Sequence, residues 1–284
     1  MGKEIPGQNV QEIREDMLDE ARGIIDAARE DGILIRLMGG LAVRVHCTSV
    51  DLCDRDYSDI DVVGLSKQRK RVIQLFEKLG YTHNYAVAHA TGGRQLQFYK
   101  ECTHMNFDAH FFIHPDDHVD VFMDTFKMDH DIDVRHRLFL EDYTLSASDM
   151  LITKLQIHRL NEKDVRDILT IVKDLALGNS DEKKMINTEY IGRLCAKNWG
   201  LYVDVVANVA KCVEGITRYP FTGDEKAVLE SKLLELERVI ERYPKSLLWK
   251  ARACFGKRFV WYREIEDQSD EHPNLDTRVK RSTQ

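Results

Sequence analysis

The chain has 284 residues, 43% of them hydrophobic, and a formal net charge of −7. This length and composition are enough for a sizeable core and predict two domains. The negative charge argues against broad wrapping of nucleic acid, so an RNA partner would have to be recognised by a local basic patch. The sequence contains no apolar run of membrane length and no apolar leader near its start, so we expect a cytoplasmic protein without membrane contacts.

Six cysteines are scattered along the chain without a Cys-x-x-Cys pair. This spacing indicates neither a zinc site nor a disulfide framework. We therefore expect reduced, packed thiols at Cys47, Cys53, Cys102, Cys195, Cys212 and Cys254.

The first half of the chain alternates between helical and strand patterns. Apolar residues at helical spacing predict a helix over 11–30, which Asp31-Gly32 ends before a strand that begins at Ile33. Ser66 is a plausible N-cap for a helix from Lys67 to Leu79. The other elements predicted here are, in chain order, a helix from Leu41 to Cys47, a strand ending at Gly64, a hairpin of Tyr81 to Ala90 and Arg94 to Lys100, a strand from Asn106 to Ile113, a helix near Asp117 to Phe126 and a strand near Val134 to Tyr143.

The second half is almost wholly helical. Ser146 or Ser148 can cap a helix that continues to about His158, and a second helix runs from about Lys163 to Leu177. Further helices are expected near 186–197, 201–217, 224–242 and 245–255. We therefore place a domain boundary near Ser146, with residues 1–145 as the first domain, 146–264 as a helical domain and 265–284 as a polar, disordered tail.

Three features of the first half can together hold a nucleoside triphosphate (NTP) and magnesium. The Gly39-Gly40 pair opens a helix, where the backbone can approach phosphates closely and unpaired N–H groups favour anions. Asp59 and Asp61 flank Ile60 on one strand, so both carboxylates share a face while Ile60 enters the core. Asp108 follows on a later strand, and three convergent carboxylates with phosphate oxygens suit Mg²⁺.

Each feature alone has an ordinary explanation. A Gly-Gly pair is usually a turn, and an Asp-x-Asp beside Tyr57-Ser58 can lie in a solvated loop. Their order along the chain, with strand, glycines, helix, Asp-x-Asp strand, helix and Asp strand in succession, favours a shared site.

The run from Leu37-Met38-Gly39-Gly40 to Asp59-Ile60-Asp61-Val62-Val63 resembles the motif of the DNA polymerase β-like nucleotidyltransferase superfamily. The resemblance is greatest to the minimal nucleotidyltransferases, which include antibiotic-modifying enzymes and the toxins of type IV toxin-antitoxin systems. It implies Mg²⁺-dependent transfer of a nucleoside monophosphate from an NTP to an acceptor hydroxyl, with release of pyrophosphate. By position, Asp59 and Asp61 match the paired metal ligands, and Asp108 matches the third carboxylate, which helps to deprotonate the acceptor.

The resemblance and the helical second half together predict an α+β fold. We expect a nucleotidyltransferase-like mixed β-sheet with flanking helices, followed by an all-helical C-terminal domain. The sequence pattern does not determine the acceptor: a small molecule, a tRNA end and a protein side chain all fit the superfamily, and fold does not choose between them. It determines neither the preferred NTP nor the oligomeric state.

One position departs from the superfamily pattern. Members commonly have Ser or Thr after the glycines, where a hydroxyl contacts phosphate, whereas this chain has Leu41. Phosphate binding would then depend on backbone N–H groups and on basic residues elsewhere. A catalytically inactive binding module that keeps the fold therefore stands as the alternative function.

A second constellation lies in the helical half. Lys154, followed by Lys163-Asp164-Val165-Arg166-Asp167, is similar to the later motifs of the toxin-type enzymes, in which a helical lysine and an aspartate complete the nucleotide site. Lys154 could meet the triphosphate as a point charge, while Asp164 could orient that lysine or a metal-bound water. The alternative is that these charges form ordinary surface pairs at i,i+4 spacing.

Several further histidines and arginines have an ordinary explanation beside a functional one. His110 shares a predicted strand face with Asp108 and lies near the acceptor or simply at the edge of the cleft. A zinc site among His104, His110, His114 and His118 is disfavoured, because Pro115 interrupts the spacing. Arg94 and Arg44 could flank the nucleotide, but solvated surface positions are expected for both.

Overall fold

The protein is described here from a computed structural model covering residues 10–49, 52, 57, 59–100 and 118–264, with side chains described from residue 17. The fold is α+β, as predicted: a five-stranded mixed sheet flanked by helices, followed by a helical region. The sheet has the strand order β1-β2-β5-β4-β3. Its strands are β1 (Ile35–Leu37), β2 (Asp59–Gly64), β3 (Thr82–His83), β4 (Gln95–Tyr99) and β5 (His118–Met123).

Only β2 and β5 run parallel, and the other neighbouring strands of this sheet are antiparallel. Alternation along the strands gives the sheet two unlike faces. One face is apolar and fully packed, and it carries Ile60, Val62, Leu96, Phe98, Val119 and Val121. The other face carries polar side chains at the centre of the sheet.

Within the described residues, the sheet is accompanied by the helices α1 (Val10–Glu30), α2 (Gly39–His46), α3 (Arg69–Lys78) and α4 (Tyr85–Ala90). On α1, Ala21, Ile24, Ile25 and Ala28 form the buried stripe that the helical spacing predicts. The ring of Phe76 on α3 stacks on Phe98 of β4 with a centroid distance of 4.3 Å. The apolar face of the sheet is thus covered by helices, while the polar face is left for the site.

The predicted helix near Asp117 to Phe126 is wrong. This segment forms β5 and then β6 (Thr125–Lys127), which pairs antiparallel with β7 (Asp131–Asp133). The physical reason is that Val119 and Val121 alternate with polar residues and are both buried, so a central place in the sheet determines the local structure.

The predicted hairpin is partly wrong. Strands β3 and β4 do pair antiparallel, but Tyr85–Ala90 is a short helix rather than a continuation of β3. Asn84 starts this helix because its side-chain oxygen accepts hydrogen bonds from the backbone N–H groups of Ala86 and Val87.

Two further predictions in this half are wrong, and one lies outside the described residues. Residues 134–143 form turns instead of a strand, because successive turn hydrogen bonds such as Arg137 N–H to the Val134 carbonyl (2.9 Å) bend the chain. Ser66 does not cap α3 with its side chain. It is instead the first residue of a short 3₁₀ turn, Ser66–Gln68, and its backbone N–H donates to the Asp124 carboxylate at 2.9 Å. The strand predicted from Asn106 to Ile113 lies outside the described residues.

The helical half follows the predicted order. Its helices are α5 (Ala147–Leu155), α6 (Glu162–Asp174), α7 (Thr188–Lys197), α8 (Trp199–Gly215), α9 (Gly223–Arg242) and α10 (Leu247–Phe255). Helix α6 stops three residues before the predicted Leu177, since β8 (Ala176–Gly178) pairs in parallel with β9 (Met185–Asn187). These short strands are the exception to an all-helical region.

Polar caps define the starts of α5 and α6. The Ser146 hydroxyl accepts a hydrogen bond from the Asp149 N–H, as predicted, and Asn161 does the same for Asp164. The buried apolar residues from both halves form one continuous cluster. The division of the chain at Ser146 stays a prediction.

The described cysteines, Cys47, Cys195, Cys212 and Cys254, are thiols rather than disulfides, and the first three are buried. Burial raises the pKa of Cys195 and of Cys212 to about 12, so both stay protonated at neutral pH. Among the helices that the structure describes, none combines the length and apolar character needed to cross a bilayer.

Candidate active site

Three carboxylates lie at neighbouring positions on the polar face of the sheet. Asp59 and Asp61 lie on β2 on either side of the buried Ile60. In the parallel register of β2 with β5, Asp61 lies opposite Asp120 and Asp59 lies opposite His118. Because neighbouring strands are roughly 5 Å apart, these side chains form one cluster.

Asp120 is a site residue that the sequence analysis missed. It was hidden in the segment predicted as a helix, although its alternation with Val119 and Val121 is the pattern of a half-buried strand. The candidate predicted from the sequence, Asp108, lies outside the described residues, so its role stays a prediction.

The electrostatics of the cluster favour a bound cation. Burial, together with the charges of Asp59 and Asp120, raises the pKa of Asp61 to about 8. The positive charge of Lys154 and the imidazole of His118 act in the opposite direction. Carboxylates that repel one another in a partly desolvated cleft are stabilised when a cation neutralises them.

Gly39 brings the start of α2 against the cluster. Its φ is +68°, and a Cβ built on it would lie 2.2 Å from Oδ2 of Asp61, so only glycine fits. The preceding Met38 N–H donates to the Asp61 carbonyl at 2.9 Å. Met38 occupies the N-cap of α2 without a side-chain hydrogen bond, so the first N–H groups of the helix, including that of Gly40, are not capped by it.

Replacing Gly39 by alanine should therefore lower stability and displace Asp61. The positive φ and the close contact both penalise a Cβ, and we expect a loss of about 1–3 kcal/mol in the free energy of unfolding. Chemical denaturation would measure it. The matched control is Gly23→Ala on α1, where nothing lies within 4 Å of the new Cβ and the substitution should stabilise by about 0.5–1 kcal/mol. Equal changes in the free energy of unfolding for the two variants would contradict the close contact between Gly39 and Asp61.

Leu41, which stands where the superfamily has a hydroxyl residue, is 2% exposed and part of the core. The first turn of α2 therefore offers backbone N–H groups and no hydroxyl at this position. Anion binding here would depend on those N–H groups and on a cation from another element.

Lys154 is such a cation. Helices α5 and α6 pack against α2, and Lys154 lies close enough to the cluster to lower the pKa of Asp61. Its Nζ lies 2.8 Å from Asp164 Oδ1 and 2.9 Å from Asp167 Oδ2. These carboxylates raise the pKa of Lys154 despite its burial, so the ammonium is held charged. The side chain of Asp167 is 1% exposed, so its ion pair with Lys154 is buried rather than solvated.

No preformed metal centre is present among the described residues: no three histidine, cysteine, aspartate or glutamate side chains stand close enough to hold an ion by themselves. The fit to Mg²⁺ is nevertheless good in donor chemistry. Mg²⁺ keeps several waters and is usually held by one or two carboxylates with substrate phosphates rather than by a complete protein cage. A cleft with Asp59, Asp61 and Asp120 therefore fits Mg²⁺ that arrives with a nucleotide.

The other polar residues considered from the sequence fare differently. Arg94 is exposed just before β4, as expected for a solvated position, whereas Arg44 is partly buried on α2 rather than fully solvated. His104, His110 and His114 lie outside the described residues, whereas His118 places its Nε2 3.2 Å from Asp120 Oδ2.

Comparisons with known proteins give a distant structural similarity. No family model matches the chain, and no curated protein matches it at a significant level. Among solved structures, the solution structure of the antibiotic-resistance factor ANT(2'')-Ia is similar with a TM-score of 0.34 and 11% sequence identity. The match covers 72% of this chain and 97% of that chain. A similarity this distant assigns no family.

Proposed function

We propose that the protein is a Mg²⁺-dependent nucleotidyltransferase that moves a nucleoside monophosphate from an NTP to an acceptor hydroxyl, with release of pyrophosphate. The observation that carries the proposal is the joint placement of Asp59, Asp61 and Asp120 on one sheet face, with Gly39 at the start of α2 against them. This arrangement puts carboxylate ligands for a cation beside backbone donors for phosphate.

In this proposal the carboxylates and the helix start have separate roles. Asp59, Asp61 and Asp120 would hold Mg²⁺, which would neutralise charge on the triphosphate and on the leaving pyrophosphate. The N–H groups at Gly39 and Gly40 bind phosphate oxygens. Asp120, which takes the place that the sequence analysis gave to Asp108, accepts the proton of the attacking hydroxyl.

Lys154 and Asp164 complete the nucleotide site from the helical half. The Lys154 ammonium balances triphosphate charge, and Asp164 with Asp167 holds the ammonium in position. The acceptor stays open between a small molecule, a tRNA end and a protein.

A catalytically inactive binding module is the second candidate, and the buried Leu41 is the observation that favours it. An active enzyme requires that backbone N–H groups and Lys154 replace the missing hydroxyl. The inactive module need only retain the fold.

Calorimetric titration of each of the four NTPs, with and without Mg²⁺, tests the proposal. We expect binding that requires the metal, followed by labelling of a component when the protein is incubated with labelled NTPs and cell extract. Nucleotide binding that is indifferent to Mg²⁺, with no labelling, would support the inactive module, and no binding at all would contradict the enzyme.

Replacing Lys154 by alanine should weaken NTP binding about ten- to a hundredfold, because a charged phosphate contact is worth about 1.5–3 kcal/mol. The exposed Lys163 on the same pair of helices is the matched control, and Lys163→Ala should change binding by less than a few fold. Since Lys154→Ala leaves two carboxylates without their ammonium, Lys154→Met combined with Asp167→Asn provides a variant with less uncompensated buried charge. If NTP binding is unchanged in Lys154→Ala and in the double variant, Lys154 does not contact the nucleotide.

A further inference from the structure

A hydrogen-bonded chain of side chains runs along the polar sheet face and ends on Asp120. It begins at Asn84, passes through Gln97 and reaches Asp120 at the centre of the sheet. We infer that Gln97 is a positioning residue for Asp120, and that Asn84 sets the orientation of the Gln97 amide. This inference rests on the proposed function and concerns how its third carboxylate is held.

The orientation of Gln97 follows from the helix cap of α4. The Oδ1 of Asn84 accepts from the N–H groups of Ala86 (3.2 Å) and Val87 (3.4 Å). Its Nδ2 is therefore turned the other way and donates to Oε1 of Gln97 at 2.8 Å. With that oxygen accepting, Nε2 of Gln97 points at Asp120 and donates to Oδ1 at 3.3 Å. A local backbone feature thus determines which end of an amide faces the carboxylate.

Asp120 is contacted on both oxygens. Gln97 donates to Oδ1, and His118 places Nε2 3.2 Å from Oδ2. Contacts on both oxygens restrict rotation of the carboxylate about its terminal torsion. The remaining lone pairs of Asp120 are left for a cation on the sheet face that it shares with Asp61, its partner in the sheet register. Ligating carboxylates commonly need such outer contacts, and losing one costs about 10- to 100-fold in metal affinity or activity.

The strand register provides a matched control. Gln97 lies opposite Asp120, whereas Gln95, two residues earlier on the same face of β4, lies opposite Phe122. The two glutamines have the same size and similar partial burial. A methionine at either position keeps the length of the side chain and removes its amide.

The first test compares Gln97→Met with Gln95→Met. Mn²⁺ binding in the presence of each NTP, followed by electron paramagnetic resonance, reports metal affinity without requiring turnover. We expect about 10- to 100-fold weaker Mn²⁺ binding for Gln97→Met and near-normal Mn²⁺ binding for Gln95→Met. In turnover, kcat should fall while KM for the NTP changes little.

The second test is Asn84→Asp. Aspartate caps a helix as well as asparagine does, so α4 should keep its start. The introduced carboxylate has no N–H to offer Gln97, whose amide must turn its NH₂ toward that carboxylate and its oxygen toward Asp120. A negative charge added near the cleft would by itself tighten cation binding, so weaker Mn²⁺ binding in this variant isolates the effect of the reversed amide.

The outcomes separate the inference from the function on which it rests. If the unaltered protein binds no Mn²⁺ with any NTP, the proposed function fails. If it binds Mn²⁺ and Gln97→Met behaves like Gln95→Met, the function stands and the positioning role is overturned. Mn²⁺ binding by Asn84→Asp that is tighter than in the unaltered protein, as the added charge alone predicts, would overturn the role of Asn84 and leave Gln97 to be oriented by Asp120 itself.

Discussion

Asp61→Asn is expected to abolish nucleotidyl transfer, by several orders of magnitude, while leaving the fold intact. The substitution removes one charged ligand from the cation site and keeps the size of the side chain. Transfer of a labelled nucleoside monophosphate, with the fold monitored by circular dichroism, measures both effects. Asp59→Asn should behave in the same way, and near-normal transfer by either variant would contradict the cation site.

The same variant should be more stable than the unaltered protein when metal is removed. Because burial and the neighbouring carboxylates raise the pKa of Asp61 to about 8, the folded chain keeps a proton that the unfolded chain releases near its ordinary pKa of about 4. The free energy of unfolding therefore falls as the pH rises from about 4 to about 8, and the whole cost is present above that range. The asparagine of the variant has no charge to repel Asp59 and Asp120.

Two like charges roughly 5 Å apart repel by about 3 kcal/mol at an effective dielectric constant of about 20, so a gain of about 1–3 kcal/mol is expected at a pH of about 8.5 in EDTA. Thermal unfolding across this pH range measures it, and Mg²⁺ with an NTP should reverse the order by stabilising only the unaltered protein. A structural role for Asp61 gives the opposite sign, with Asp61→Asn less stable in EDTA at every pH.

Asp120→Asn is expected to bind an NTP but to lose turnover by at least about a hundredfold. Its proposed partner, the attacking hydroxyl, develops charge only in the transition state, so the loss should appear in kcat more than in NTP affinity. Single-turnover kinetics with calorimetric binding would separate the two.

Asp108→Asn is the informative comparison, because the sequence pattern alone gave this role to Asp108. The register of β5 beside β2 leads us to expect the larger loss at Asp120. If Asp108→Asn loses turnover and Asp120→Asn keeps it, the role predicted for Asp108 from the sequence is supported. Equal losses of binding and turnover at Asp120 would indicate a structural role for that residue.

The sequence predicted the helices of the second half more accurately than the strands and turns in the middle of the first half. Those predicted at 186–197, 201–217, 224–242 and 245–255 agree with α7 to α10 to within two residues at each end. Their apolar spacing and their polar caps, such as Thr222 at the start of α9, are local signals that tertiary contacts reinforce.

The wrong predictions fall where long-range packing outweighs the local pattern. The acidic run before Val119 resembles the first turn of a helix, but β5 is the central strand of the sheet, with β2 on one side and β4 on the other. Strand pairing between residues far apart in the chain decided this segment, and single-sequence periodicity does not register that pairing.

For the site, the sequence by itself determined the parts that depend on local geometry. Alternation along one strand places Asp59 and Asp61 on a common face. The glycine pair allows a helix to start close to Asp61, where a Cβ on Gly39 would collide with the carboxylate. Lys154, Asp164 and Asp167 are likewise placed by helical spacing within their own segments.

What only the tertiary structure decided is which separate segments meet. The parallel register sets Asp120 beside Asp61, the packing of α5 and α6 on α2 brings Lys154 to the cluster, and the α4 cap turns the amide of Gln97 toward Asp120. Each of these contacts joins residues that no local period relates, because pairing register and helix packing depend on the summed burial of the whole core. The raised pKa of Asp61 has the same origin, since both its burial and the nearness of Asp120 are properties of the folded chain.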